Sequence, residues 1–368
     1  MTPKVSPLYS EYVIDGLRED LTPAQMLGLP ASDREWEPIV DETVDASPTG
    51  QLPPHPDIQE SLDAVLCEQL KRFPVTYSGP YTAVAIGVEL IETIFRTGHF
   101  RIGDLAVGLD WQWDQKVIGN LAAFYASAQE AATFADALGI AINNVKFTCA
   151  QECSLDVQVR LLRRDEDDED LLVRMPDHSR HPVLLGSRHV AASLLPDPQS
   201  WIVFIPFDTC AFRLSGSLLS QAYGLSGAAA PDVGDADYFT DCFEVVREMV
   251  EDGVVIAGAT VREGGMLTAL RHMCQDCGAG VNIADIMKTY GESREERVLF
   301  AEVPGVLLQI RDIDYDYFDA EMLLQDVAYF PVGHPIPGGG LRVENFSRTG
   351  IQSILDSLLL SQGSEGED

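Results

Sequence analysis

The fold turns on residues 235–283, "DADYFTDCFEVVREMVEDGVVIAGATVREGGMLTALRHMCQDCGAGVNI". Apolar residues at helical spacing from Asp235 predict a helix closed by Gly253. The run "GVVIAGATV" then reads as a strand, and "GMLTALRHM" as a second helix. Between strand and helix stand two adjacent glycines, Gly264 and Gly265. Paired glycines at such a junction leave the backbone bare for a close approach, and phosphate is a common guest there. Yet Arg262 and Glu263, both bulky and charged, stand immediately before them.

Working outward, strands and helices alternate. "SWIVFIPF" reads as a buried strand, and "LSGSLLSQAYG" places Gly216 and Ser217 just before a helix, a second anion-binding type of turn. Downstream, "ERVLFAEVPGVLLQIRDI" supplies strand material, "YDYFDAEMLLQDVAYFPVGHPI" a helix and a strand, and "IPGGGLRV" a turn. Upstream, "YTAVAIGVELIETIFRTG" predicts a long helix with Ala85, Val88, Ile91, Ile94 and Phe95 apolar, stopped by Gly98. "DLAVGLDW" alternates as a strand does, "LAAFYASAQEAATFADALGI" is an alanine-rich helix stopped by Gly139, and "INNVKFTC" and "LDVQVRLL" are further strands. The charge block "RRDEDDED" that follows is expected to be a solvated loop. A helix is expected over Ser61–Phe73, with Ser61 or Asp63 as its cap. There is no internal repeat. The alternation points to an α+β or α/β architecture with helices layered on sheets.

Residues 1–60 are rich in Pro, Asp, Glu and Ser, with few periodic apolar positions, and read as an acidic, largely disordered arm. A short helix near Pro23–Leu27 and an isolated Trp36 are its only features. Residues 346–368 read as an acidic tail.

Composition narrows the function. A net charge of -33 repels nucleic-acid backbones, which require Lys/Arg patches, so direct nucleic-acid binding is not expected. It suits basic proteins or cations as partners, or no special partner at all. No apolar run of about 18 residues predicts a membrane span. The opening "MTPKVSPLYSEYV" lacks the basic and apolar regions of a secretory signal. Seven cysteines without framework spacing fit a reducing compartment, cytoplasmic or nuclear. "CQDC" at Cys274–Cys277 has no second pair of ligands at zinc spacing, so these are read as buried thiols. The seven histidines form no HExxH and no Ser/His/Asp order, which argues against a hydrolase.

The order "FRLSGSLLSQAYG", then the opening stretch, then "RVLFAEVPGVLLQI", then "YFPVGHPI" resembles the carboxyl half of phosphoribosylformylglycinamidine synthase, the glutamine-dependent ligase of the purine pathway. That half is a PurM-like (AIR synthase-like) module. Upstream, "VELIETIFRTG", "LAVGLDWQW" and "AQEAATFADALGIAINNVKFTCAQE" are similar to the family's Glu-Ala-x-x-Asn helix, Asn-Trp strand end and Gly-Lys-Asp-Ser segment. The resemblance spans about residues 61–345. It implies a PurM-like fold with an abbreviated N-terminal subdomain, residues 61–190, and a C-terminal α/β sandwich subdomain, residues 191–345.

The departures from the family pattern bear on function. The family's His-Asp pair falls on Ala259 and Thr260, and its Ser-Asp on Arg262 and Glu263, so only Gly264 and Gly265 match. "VKFT" keeps Lys146 but has Phe147 at the aspartate position. Glu89 matches, with Thr93 at the asparagine position, and Asp110 and Trp111 stand at the Asn-Trp position. About 15 residues separate Pro74 from Glu89, too few for the strands that open the family's subdomain. Nothing in these residues resembles the family's glutaminase domain or its first PurM-like half, so a complete ligase is not expected from them alone.

The resemblance therefore implies a degenerate, non-catalytic relative acting as a protein-interaction scaffold. Its vestigial catalytic candidates are Lys146, Glu263 and Glu302, its vestigial phosphate turns Gly216, Ser217, Gly264 and Gly265, and its metal candidates Glu89 and Asp110. No cofactor is expected. The alternatives are Mg-ATP, in a synthase piece completed by other chains, or a structural ADP held without turnover. "VDETVDASPTGQLP" is also similar to the acidic linker of gammaherpesvirus tegument proteins that resemble this synthase. By that likeness the partners would be host nuclear proteins and the location virion tegument as well as cytoplasm or nucleus. An uncovered edge of the PurM-like sheet implies pairing with another chain, a second copy included.

Overall fold

The structure is a computed structural model that describes residues 6–29, 73–164, 180–209, 212–223 and 229–344. The chain begins with a 3-10 turn, Pro7–Tyr9, a small hairpin of β1 (Val13–Ile14) and β2 (Leu17–Arg18), and a short helix, α1 (Pro23–Met26). Thr22 and Gln25 close a capping box on α1: Thr22 Oγ1 accepts from Gln25 N–H, and Gln25 Oε1 from Thr22 N–H. The expectation of a largely disordered arm over residues 1–60 is thus corrected for residues 6–29. Leu8, Tyr12, Ala24 and Leu27 are buried in the main core. Tyr12 stacks on Tyr125, ring centroids 5.0 Å apart, and Tyr125 donates to Leu21 C=O. These anchors are scattered singly through polar sequence and leave no periodic signal. Trp36 and the expected helix up to residue 72 lie outside the described residues. Phe73, just past them, sits edge-on to Trp113.

Residues 74–89 hold a 3-10 turn and the start of α2 (Ser78–Thr93), with no strand among them. This helix is buried on nearly all sides because it packs against both sheets of the molecule. Arg247 fixes its far end. The guanidinium donates to the carbonyls of Ile94 and Arg96 while lying over the Phe100 ring.

The first sheet has the order β4–β3–β5–β6: β4 (Ala141–Cys149), β3 (Leu105–Trp113), β5 (Ser154–Arg164) and β6 (Arg180–Val183). The helix α3 (Asn120–Ala137) makes the crossover between the parallel strands β3 and β4. Along β3 the side chains of Leu105, Val107, Leu109, Trp111 and Trp113 enter the core beneath α2 and α3. Both buried indoles are satisfied, Trp111 donating to Ser127 Oγ at 2.9 Å and Trp113 to Asn120 C=O at 2.7 Å. The alternate residues Ala106, Gly108, Asp110 and Gln112 face outward, opposite Asn144, Lys146 and Thr148 of β4 and Asp156 and Gln158 of β5. That outer face is polar. The charge block "RRDEDDED" begins inside β5, and its residues from 165 onward lie outside the described residues.

The second sheet has six strands in the order β12–β9–β11–β7–β10–β8: β7 (Trp201–Pro206), β8 (Val255–Val261), β9 (Gly278–Val281), β10 (Gly305–Ile310), β11 (Phe330–Ile336) and β12 (Leu341–Val343). A short helix α4 (Leu218–Tyr223) follows β7. On one face lie α5 (Ala236–Glu251) and α9 (Tyr315–Leu324), sharing a core with α2 and the first sheet. The other face carries α6 (Gly265–Met273), α7 (Ala284–Tyr290) and α8 (Glu295–Phe300) over a separate core. The first core runs unbroken across the expected boundary at residues 190–191. Residues 296–300, expected as strand, lie in α8. Pro304 sets the break after it, and the strand starts only at Gly305.

Candidate functional site

The glycine turns converge on one carboxylate. Glu302 leaves the end of α8 and is buried. Its Oε1 accepts from Leu218 N–H at 2.7 Å and from Gly264 N–H at 2.9 Å, one amide from each turn. Its Oε2 accepts from the Tyr81 hydroxyl at 3.0 Å. Burial pushes the Glu302 carboxyl up to about 7, with Glu263 nearby adding to the rise, while the two amides and Tyr81 pull the other way. The Tyr81 hydroxyl is raised well above its ordinary value by burial and then by Glu302.

The two turns need glycine for packing. Gly265 has φ +71°, and a Cβ there would come within 2.7 Å of the Phe300 carbonyl carbon and 2.8 Å of Leu299 O. Gly216 has φ +79°, and its Cβ would meet the rings of Tyr81 at 2.7 Å and Tyr77 at 2.9 Å. Aromatic side chains from the start of α2 therefore lie directly over this turn. Ser217 is buried and spends its hydroxyl locally, accepting from Ser220 N–H at 3.3 Å as a helix cap does.

Beside this cluster lies a charge network between α2 and β8. Arg262 is 2.6 Å from Glu89 and 3.7 Å from Glu92. Glu92 also pairs with Arg188 at 2.5 Å and accepts from the Thr260 hydroxyl at 2.8 Å. Arg188 lies over the Phe95 ring and donates to Val190 C=O and Gly258 C=O. Burial pulls the Arg262 guanidinium down, but Glu89, Glu92 and Glu263 outweigh it and leave its pKa raised. Glu89, expected as a metal ligand, thus faces a fixed cation. Among the described residues no group of three or more His, Cys, Asp or Glu is arranged to hold a metal ion.

Lys146 and Asp110 are elsewhere. They pair at 3.1 Å on the outer face of the first sheet, the face opposite α2 and α3. Phe147, at the family's aspartate position, packs on Phe124 at 4.6 Å from the inner face. Of the expected site residues the structure gathers Gly216, Ser217, Gly264, Gly265 and Glu302, sets Glu263 and Glu89 next to them, and separates Lys146 and Asp110. Sequence reasoning missed Tyr81, Glu92 and Arg188. The first two are polar positions on an otherwise apolar helix, a signal that was available. Of the CQDC thiols expected to be buried, Cys277 is buried and Cys274 is half-buried. Cys277 donates to Leu194 C=O, and burial raises the Cys274 thiol to about 11.

Two anion-receptive turns and a pair of glutamates are what a nucleotide–metal site requires. Here a carboxylate of the chain holds an amide from each turn, and a guanidinium stands against the glutamates. A phosphate would have to displace Glu302 and the Tyr77 and Tyr81 rings, and a cation would have to displace Arg262.

No family model matches the chain. It is 22% identical over 222 residues to human phosphoribosylformylglycinamidine synthase, covering 57% of this chain and 15% of that protein. To the probable chloroplastic/mitochondrial phosphoribosylformylglycinamidine synthase of Arabidopsis thaliana it is 23% identical over 238 residues, covering 63% and 16%. The chain thus spans about a sixth of the length of these relatives. Among solved structures, Thermotoga maritima PurL complexed with FGAR superposes with a TM-score of 0.50 at 16% identity, over 72% of this chain and 40% of that one. The chain is similar to a segment of phosphoribosylformylglycinamidine synthase, and its fold is PurM-like.

Proposed function

We propose that this chain is a non-catalytic PurM-like module that works as a protein-interaction scaffold. The observation that carries the reading is the self-occupied site, in which Glu302 takes an amide from each glycine turn while Arg262 neutralises Glu89. Both groups must be displaced before nucleotide or metal can enter, and each displacement strands a charge. The net charge of -33 makes basic proteins the fitting partners. That these are host nuclear proteins, and that the chain works in the tegument, rests on the resemblance to tegument proteins alone, whereas cytoplasm or nucleus rests on the cysteine usage. No helix among the described residues is long and apolar enough to cross a membrane.

The test is a thermal titration with Mg-ATP and Mg-ADP. A ligand that binds the native state raises its melting temperature, so no shift at millimolar nucleotide is the expected result. A clear rise at millimolar nucleotide with the chain alone overturns the self-occupied site on which the non-catalytic reading rests. A second reading, a synthase piece completed by another chain, draws on the small share of its relatives that the chain spans. That reading predicts a nucleotide shift only when the completing chain is added.

A further inference from the structure

The helix α9 is apolar on two faces. Phe318 and Met322, one turn apart, are fully buried against the main core. An ordinary surface helix would then be polar on its other side. Instead Tyr317, Ala320 and Leu324 follow one another at turn spacing on the solvent side, with Leu323 beside them and Ile313 just ahead of the helix in the 3-10 turn Asp312–Asp314. Ile313 is 85% exposed, Leu324 74% and Leu323 69%. Leaving such side chains in water forgoes the stabilisation that burying apolar surface gives. A contiguous stripe of them is a feature that contact surfaces share.

The stripe is framed by one sign of charge. Residues 312–327 contain Asp312, Asp314, Asp316, Asp319, Glu321 and Asp326, and no lysine or arginine. Asp252 reaches the same face, accepting from the Tyr317 hydroxyl at 2.9 Å. The nearest base, Arg311, sits at the end of the stripe and pairs with Asp314. By contrast, another exposed apolar pair, Val117 and Ile118, lies on a loop next to Lys116.

We propose that the outer face of α9 docks a basic amphipathic helix of another protein, its leucine-type residues on Ile313, Tyr317 and Leu324 and its lysines or arginines against the flanking carboxylates. An apolar stripe with one-turn spacing matches the anchor pattern of a helix laid alongside it. The uniform acidic rim selects the sign of the partner and speeds its approach. The proposal names a surface for the scaffold reading above and rests on it. The two fail separately, because Glu302 precedes β10 and α9 follows it. A six-residue strand, about 20 Å long, lies between them. Nucleotide titration reads the first place and peptide binding the second.

The probe is a fluorescent designed helix of leucine and lysine in amphipathic pattern. Two partners control for it, one with glutamate for every lysine and one with serine for every leucine. Anisotropy on the full chain is expected to show the leucine–lysine peptide binding and weakening with salt, with both controls weaker by about tenfold or more. The double variant Ile313→Ser/Leu324→Ser should lose about tenfold in affinity, as removal of exposed anchors does. Val117→Ser/Ile118→Ser should lose nothing. Both replaced pairs are exposed, so folding is not at stake, and circular dichroism confirms it. Equal binding by the Ile313→Ser/Leu324→Ser chain, or equal binding of the serine–lysine peptide, overturns the proposal in favour of unspecific charge attraction. No binding to the wild-type chain also overturns it, as when a second copy or another part of the chain already covers the face. Sedimentation of wild type against the double variant then identifies a second copy.

Discussion

Two neighbouring clusters fill what would be ligand space in opposite electrostatic ways. At the glycine turns a single carboxylate, Glu302, is fully enclosed and held by two amides and a hydroxyl. At the α2–β8 junction the charges are half-exposed and compensate in pairs, Arg262 with Glu89 and Arg188 with Glu92. Glu302 stands where an anion would be received, and Arg262 stands against the carboxylates that would receive a cation. The enclosed group is governed by desolvation, so its energetics follow pH. The paired groups are governed by Coulomb attraction, so theirs follow salt. The difference teaches that one site can be closed twice by independent means, and each closure can be broken alone.

Geometry at the turns gives the largest expected effect. Gly265→Ala puts a Cβ against the Phe300 and Leu299 backbone in a left-handed conformation, and backbone cannot swing aside. It should cost about 3 kcal/mol or more in urea unfolding. Gly216→Ala meets the Tyr77 and Tyr81 rings instead, which can rotate, so its loss should be smaller. Equal losses would mean that the rings are as fixed as backbone.

The pH profile comes next. The Glu302 carboxyl stands at about 7 in the fold against an ordinary 4.5, so folding takes up a proton between those values. Its contribution to stability is complete below about 4.5 and is lost as pH rises through 7, by up to about 3 kcal/mol. Glu302→Gln keeps an oxygen for the two amides and removes the titration. Urea midpoints between pH 5 and 8 should therefore fall for the wild type and run flatter for the variant. Parallel curves would show that Glu302 is not the titrating group.

Much of this was legible. The alternation in "DLAVGLDW" marks β3, and the paired glycines with positive φ mark the turn between β8 and α6. The identity of the groups filling those turns was not legible. In the sequence Arg262 is only a bulky charge before the glycines, because its partner Glu89 lies 173 residues away and only packing of α2 on β8 joins them. Glu302 stands out only as a catalytic candidate by resemblance, and its burial between the two turns belongs to the fold and not to the local sequence. Residues 6–29 failed for a related reason: Leu8, Tyr12, Ala24 and Leu27 are anchors without a period, and composition averages them away.

The paired cluster should yield less than the enclosed one. Arg262→Ala leaves Glu89 without its cation, but Glu89 is about one-third exposed and can rehydrate. A loss of about 1 kcal/mol at low salt is expected, shrinking as salt rises. A salt-independent loss would mean that Arg262 acts by packing.

Lys146 offers the weakest break and a useful contrast. Its amine is largely exposed, so by itself the pair with Asp110 is worth about 0.5 kcal/mol or less. Across β3 and β5, however, Asp110 stands directly opposite Asp156, and like charges facing one another destabilise a sheet. Lys146 offsets that repulsion. Lys146→Ala should therefore cost a few tenths of a kcal/mol, and adding Asp110→Asn should restore it, because the asparagine removes the repulsion together with the need for the lysine. If Asp110→Asn alone destabilises by more than Lys146→Ala, the carboxylate has a partner besides Lys146, and the outer face of the first sheet is then a better place to look for a ligand than the turns that Glu302 holds.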